Sequence, residues 1–499
     1  MAEHLIDIEE ARADLLACAA FLAEDIKSSD GYAEAMTRIV PFYVAKNEVD
    51  MAAEFANKVD DPFTRDKLLT IVAEKCAAEN DDDYALQLVD AIEDYGLQSQ
   101  AREKIAFQKT VKGDYEKSFA IARSLDHPDY IFADIAVYQA ANGDDASAAQ
   151  TLSQIEFENA RVSALQSIAA AKLSKGETQS AVEYLDKAAV AASEIEHAEE
   201  RIRALTDVGN YFLEAKRNDR AIETFDRAKS NAERLDNVHR DYLLGGVSLG
   251  FLKSGSIELA DRALDLVADK TQISSALVGY AREFWAKGEK TEALETLEES
   301  YAVLKSQKDT ETRDSKAKSA LFTTIAVEFA RFEKPERAVE IAQENIDEGE
   351  RASGLTQISQ VLLSQGRDEM AWQTIQAIEE DSARMFALIG LSDVKHRLGD
   401  KEKAVEMLVE ASSFAETVPQ LASRSTAYNE LAKRFVEYGE LQHARAVAHE
   451  NLETIAQIRD ESSRAAALAN LSEIYKQGNF DLTAAEKEII FTLIRRAEW

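Results

Sequence analysis

Apolar residues along this chain recur at i, i+3, i+4 and i+7, the spacing that gathers them on one face of a helix. Each such run is followed by a short polar break and then by a second run of the same kind. Between Ala204 and Leu235 the first run is carried by Leu205, Val208, Gly209 and Phe212, the second by Ala221, Ile222, Phe225 and Ala228, and the break by Lys216 to Asp219. The pattern predicts two amphipathic helices joined by a tight turn.

That unit repeats. Taking one turn residue per break gives Asn47, Asn80, Gly113, Gly143, Gly176, Lys216, Gly255, Gly288, Glu333, Gly366, Gly399, Gly439 and Gly478. Five positions later stand Ala52, Ala85, Ser118, Ala148, Ala181, Ala221, Ala260, Ala293, Ala338, Ala371, Ala404, Ala444 and Thr483, so eleven of thirteen are alanine, which fixes the period. Seven positions before the turn residue lies another mostly small position, including Ala73, Gly209, Ser248 and Ala281. Small residues at two fixed points let helix backbones approach closely and set the spacing between them. Gly and Asn dominate the turn positions because a helix commonly ends on a left-handed residue that they adopt at least cost. Successive turn residues are 33, 33, 30, 33, 40, 39, 33, 45, 33, 33, 40 and 39 apart. The run 33, 40, 39 occurs twice at an offset of 223, and Arg161 matches Arg384 as Arg201 matches Arg424, which points to a duplicated block.

A Leu, a small residue four later and an aromatic three beyond that, then a turn and an Ala–aromatic–Ala second helix, resembles the tetratricopeptide repeat; Leu205, Gly209, Phe212, Ala221, Phe225 and Ala228 carry the likeness. The resemblance implies an all-α, right-handed superhelical solenoid of about thirteen antiparallel helix pairs. The expected organisation is an N-terminal capping helix over 1–28, a first block of repeats over 29–304, a charged connection over 305–318, a second block over 319–480 and a C-terminal capping helix over 481–499. The charged connection is the expected hinge or loop between two halves, and the two terminal segments are expected to cover apolar faces that water would otherwise meet. Lengthened helices should project at the long repeats. Pro41 falls inside a first helix, where a kink or irregular start is expected.

Composition narrows the function. Lys and Arg number 58 against 92 Asp and Glu, a formal charge of −34, and such an excess of acid repels phosphate backbones. No nucleic acid is expected as partner, and a protein or peptide of basic character is. Cys18 and Cys76 sit in alanine-rich helical runs and read as buried small residues. The first ten residues lack Lys and Arg, and no apolar run reaches the ~20 residues of a membrane span, so a cytoplasmic protein without a membrane partner is expected.

Sequence-local chemistry is sparse. Arg65, Arg161, Arg201, Arg240, Arg351, Arg384 and Arg424 stand fifteen positions before their turn residues. They read as inter-repeat ion pairs with upstream acids, or as a ladder for an acidic ligand. Gly245, Gly246 and Gly250 lack the Lys and Ser or Thr of a phosphate loop and read as close helix packing. The seven histidines form no zinc motif and read as surface residues, and Asp81 to Asp83 reads as a helix cap. No cofactor or metal is expected.

In the tetratricopeptide family, first helices line a concave face that holds an extended peptide or a helix. By that resemblance, positions thirteen, ten, six and three before the turn residue face inward, giving Arg203, Asn210, Tyr242, Leu249, Arg282, Trp285, Gln360, Asn429 and Lys433 as candidate groove residues. Asn210 matches the position from which peptide-clamping members use Asn. The expected function is a non-enzymatic scaffold or adaptor, with self-association open to it. The alternatives are a helical ligand-sensing domain of a signalling system, which requires a closed pocket, and an enzyme on an α-helical ring.

Overall fold

The structure, a computed structural model, describes residues 4–307 and 312–497. These residues form 28 helices and no strand. Two helices, α1 (Ile8–Ala13) and α2 (Leu15–Glu24), precede thirteen pairs. The first four pairs are α3 (Ser29–Ala45) with α4 (Val49–Asn57), α5 (Pro62–Ala78) with α6 (Asp82–Asp90), α7 (Tyr95–Val111) with α8 (Tyr115–Arg123), and α9 (Asp129–Ala141) with α10 (Asp145–Leu152). Then come α11 (Glu158–Ser174) with α12 (Thr178–Glu194), α13 (Ala198–Glu214) with α14 (Asn218–Ala232), α15 (Arg240–Lys253) with α16 (Ile257–Leu264), and α17 (Lys270–Ala286) with α18 (Lys290–Lys305). The last five are α19 (Thr312–Arg331) with α20 (Pro335–Gln343), α21 (Glu348–Ser364) with α22 (Asp368–Gln376), α23 (Asp381–Arg397) with α24 (Lys401–Ala415), α25 (Leu421–Glu437) with α26 (Leu441–Ile455), and α27 (Glu461–Gly478) with α28 (Ala484–Ala497).

Thirteen described residues have positive φ, and twelve of them are the expected turn residues, from Asn47 at 66° to Gly439 at 83°. The thirteenth corrects the reading of the last pair: Asn479, at 50°, is the left-handed residue, and Gly478 closes α27. Gly478 is small for a different reason, since a Cβ there would come within 2.5 Å of the Phe480 ring. Five positions after Asn479 stands Ala484, so the alanine rule holds there too. All eleven alanines expected at that position are fully buried, as close helix contact requires.

Within the chain, contacts gather into two compact units, Met1–Gln108 with Leu362–Trp499, and Lys109–Val361. In the first unit the terminal helices cover one another rather than capping separate faces. Helix α2 is buried from Leu15 to Ala23 and packs against α27 and α3, while α28 lies on α1 and α2. Ser462 donates to Glu34 at 2.7 Å across that seam. In the second unit first helices pack on one another from α9 to α19, α9 on α11, α11 on α13, α13 on α15, α15 on α17 and α17 on α19. Part of the expected charged connection is helical, α18 ending at Lys305 and α19 starting at Thr312; residues 308–311 lie outside the described ones. Pro41 lies inside α3, which runs through it from Ser29 to Ala45.

The duplicated block is visible in the helices themselves. Helices α11, α13 and α14 recur as α23, α25 and α26 with both ends displaced by 223 positions. Its buried polar contacts recur as well. Lys172, 4% exposed, pairs with Asp145 at 2.9 Å and Glu177 at 3.0 Å; Lys395, 7% exposed, pairs with Asp368 at 2.6 Å and Asp400 at 3.6 Å in the same register. The long repeats differ from the short ones in the second helix, which has 17 residues in α12 and 8 in α10.

Candidate partner-binding strip

The recurring arginines are not an open ladder. Arg161, Arg201, Arg351, Arg384 and Arg424 each donate to the carbonyl six residues back, Ile155, Ile195, Asn345, Ile378 and Val418, at 2.5–3.2 Å. Those carbonyls follow the end of the preceding second helix, where no intrahelical donor is left for them. Arg464 does the same with Ile458 and is fifteen before Asn479, so the misplaced final turn residue hid an eighth member. Arg65 instead pairs with Asp66 and Glu93, and Arg240 with Asp241 and the Leu266 carbonyl.

Other sequence readings settle into packing. Gly250 lies on α15 with Phe225 against it, and Asp81 caps α6 by accepting from the Tyr84 amide at 3.3 Å. Cys18 and Cys76 are buried thiols, and desolvation pushes the first up to about 12 and the second to about 11. Four of the histidines, His127, His197, His239 and His443, are exposed as expected, and the other three are half-buried. His396 stacks on Tyr438 at 4.0 Å, and His449 meets the buried Glu486 carboxylate at 3.1 Å. Burial raises the Glu486 pKa, but amide, Tyr475 and His449 hydrogen bonds and Arg445 outweigh it and the net shift is downward. Among the described residues no cluster of three or more His, Cys, Asp or Glu is placed to hold a metal, and no helix is long and apolar enough to cross a membrane.

One of the four registers expected to face inward is uniformly exposed. In the second unit, residues thirteen before the turn are exposed on consecutive first helices: Tyr130, Ser163, Arg203, Tyr242 and Ser275. Residues nine before, one turn along the same face, are exposed from α9 to α15: Asp134, Ser167, Asp207 and Gly246. By contrast, several residues ten before are buried, Ala133, Gly245 and Val278 among them, because they sit in the seam between neighbouring first helices. Gly245 faces Ala276 of α17 across that seam.

Two of these side chains touch across neighbouring helices. The Arg203 guanidinium lies over the Tyr242 ring at 5.8 Å, joining α13 to α15, and Tyr242 remains 57% exposed. Asp134 and Asp207 both have carboxyls held above the usual range by desolvation, with Arg203 opposing the shift at Asp207. Asp134, Asp207 and Tyr130 were missed in the sequence; the register that found Tyr242 also contained Tyr130.

The remaining candidates are placed less openly. Asn210 and Gln360 are half-buried, and Leu249 packs over Gly279, where a Cβ would lie 2.9 Å from it. Arg282 donates to the buried carboxylate of Glu328 at 2.7 Å, and Arg331 shares that oxygen. Trp285 stacks on Phe332 with centroids 4.5 Å apart, and Lys290 lies 4.6 Å from its ring. Arg282 and Trp285 therefore link α17 to α19 and its turn. Asn429 and Lys433 belong to the other unit, where Asn429 accepts from Asn451 at 2.9 Å and Lys433 is exposed.

No protein-family profile matches this sequence, and no curated protein does. Among solved structures, aspartyl phosphate phosphatase F from Bacillus subtilis is 11% identical, with 78% of this chain and 94% of that one covered and a TM-score of 0.30. A Rap protein complexed with competence and sporulation factor is 11% identical over 77% of this chain and 98% of that one, with a TM-score of 0.29. The apo quorum sensor NprR from B. thuringiensis is 12% identical over 65% and 97%, with a TM-score of 0.24. Likeness at this level says nothing about partner or activity. What the chain itself displays is an all-α helical-repeat architecture of paired helices.

Proposed function

We propose that this protein is a non-enzymatic scaffold of tetratricopeptide-like helix pairs that holds a partner polypeptide along the first helices of Lys109–Val361. One observation carries the reading: consecutive first helices present solvent-exposed residues at one fixed register, and the Arg203–Tyr242 contact ties two of them into a continuous surface. Tyr and Arg are the residue types that concentrate binding energy at protein interfaces. Small residues elsewhere on the strip, such as Ser167 and Gly246, let a partner backbone come close. With a charge of −34, the surface favours a partner of basic character, drawn in by a field that salt screens.

The test is capture from an extract of the source cells by immobilised wild-type protein and by a Tyr242→Ala/Arg203→Ser variant. Proteins retained by the wild type, lost from the variant and released by raised salt fit the proposal. Equal retention by both removes the strip as the binding surface.

A further inference from the structure

Chain order pairs α27 with α28, but packing pairs α27 with α2. In the second unit α13 packs on its own second helix α14 and on the next first helix α15, and α14 packs on α15. The same triangle closes at the chain ends: α27 packs on α2 and on α3, and α2 packs on α3. Side chains also place α2 in the row of second helices. Successive second helices are joined by polar pairs, Asp186 of α12 to Arg220 of α14 at 3.1 Å and Glu298 of α18 to Arg337 of α20 at 3.0 Å. Glu24 of α2 meets Lys58, at the end of α4, at 2.7 Å.

The sequence of α2 carries the signature of a second helix. Asp81, Asp114, Asp144 and Asp400 cap α6, α8, α10 and α24 through the amide three residues on, and the small inward residue follows one later, at Ala85, Ser118, Ala148 and Ala404. Asp14 caps α2 in the same way, accepting from the Ala17 amide at 2.8 Å, and Cys18 stands next, fully buried. Helix α28 lacks this face. Nine positions after the turn, second helices bury an apolar residue such as Leu185, Phe225 or Leu408. In α28 that place is Glu488, and both it and Ala484 are exposed. The buried residues of α28, Glu486, Ile490, Leu493 and Ile494, form a different face, and the helix lies across α1 and α2. Glu486 pins it there, accepting from Tyr475 of α27 at 2.7 Å and from the Thr483 amide at 2.8 Å, and pairing with Arg445 of α26. Arg12 of α1 lies over the Phe491 ring at 5.2 Å.

We propose that the last repeat is built from both ends of the chain, with α2 as the second helix of α27 and α28 as a strap across them, and that this joint is where the first unit opens. Elsewhere a turn of a few residues holds each second helix to its first, so a separated pair meets again at little entropic cost. Helix α2 has no such tether to α27. It can swing out on residues 25–28 while the turn-linked pairs stay intact, a local opening that costs less than unfolding the unit. The joint lies outside the first-helix strip and does not depend on it.

The experiment uses the protein's two free thiols as reporters: Cys18 is buried on α2, and Cys76 is buried on α5, inside a turn-linked pair of the same unit. Iodoacetamide labelling of the native full chain, read by mass spectrometry of each cysteine peptide, should modify Cys18 at least about 10-fold faster than Cys76. Leu22→Ala removes buried packing from α2 and should raise the Cys18 rate at least about 10-fold while leaving the Cys76 rate unchanged. Glu486→Ala, which strands Arg445 and frees the strap, should do the same. If either variant fails to fold, Phe491→Ala replaces it, with a rise of about 3-fold expected from loss of the Arg12 contact. Hydrogen exchange should show the Glu461–Gly478 amides losing protection in Leu22→Ala and keeping it in Glu488→Ala. Equal labelling of the two thiols in wild type, rates that rise together in the variants, or loss of α27 protection in Glu488→Ala instead of Leu22→Ala would overturn the proposal.

Discussion

Two glycines on α15, four residues apart, should respond to alanine with opposite sign. Gly246 is exposed, and a Cβ built there meets no atom within 4 Å. Gly246→Ala therefore collects the helix-propensity difference alone, a stabilisation of about 0.5–1 kcal/mol. Gly250 is buried, and its Cβ would lie 2.6 Å from the Phe225 ring edge. That ring is itself fully buried, clasped by Gly209 from α13 and packed edge-on against Phe251 at 5.7 Å. It has nowhere to withdraw, so the overpacking cost, typically about 1–3 kcal/mol, exceeds the propensity gain. Gly250→Ala should lose about 1–2 kcal/mol, placing the two variants about 2 kcal/mol apart, close to a 30-fold difference in local opening. Hydrogen exchange of the Arg240–Lys253 amides is the suitable assay, because a repeat chain opens locally and a single melting temperature averages over it. Protection should rise in Gly246→Ala, fall in Gly250→Ala, and recover in Gly250→Ala/Phe225→Leu relative to the sum of the single changes. If Gly250→Ala is as well protected as Gly246→Ala, the argument that α13 and α15 approach through these glycines is wrong.

Other consequences are narrower. Lys216 and Glu333 hold left-handed turns at φ 57° and 61°, a conformation that disfavours side chains by about 1–2 kcal/mol; Lys216→Gly should raise stability by about 0.5–1 kcal/mol in a thermal melt, and a fall would contradict the turn assignment. The Asp368 pKa is lowered from 3.8, by Lys395 first, with burial opposing and Lys403 assisting. Its folded value lies below its unfolded one, so its stabilisation is complete above the unfolded value and is lost as pH falls through the folded value. Asp368→Asn should lower stability at pH 7 and reduce the difference from wild type below about pH 4; a difference that does not change with pH would refute the ion pair. Asp207 has the opposite sign, since desolvation raises its pKa. Asp207→Asn should stabilise at pH 7, and the gain should shrink in acid.

The turn residues were legible because backbone geometry restricts them. Even Lys216 and Glu333, poor choices for a left-handed turn, were found from the alanine five positions on. The same alanine rule applied to Ala484 would have placed the last turn at Asn479 instead of Gly478. The error arose because a glycine needed to admit Phe480 stands beside the residue that needs positive φ. Which first-helix positions are exposed was legible only to within part of a turn. Positions nine and ten before the turn adjoin on a helix, and which of them enters the seam depends on the neighbouring helix, as Gly245 against Ala276 illustrates. The mutual cover of the chain ends had no local signal, because Ser462 and Glu34 are brought together only by the fold.

The most direct measurement places a photo-crosslinker, p-benzoylphenylalanine, at Tyr242 on the strip or at Arg262, which is 64% exposed on α16, and irradiates each protein in source-cell extract. The account predicts that position 242 labels a discrete polypeptide, that position 262 does not, and that raised salt abolishes the label. Equal labelling from both positions, or none from 242 while the partner still co-purifies, would contradict it.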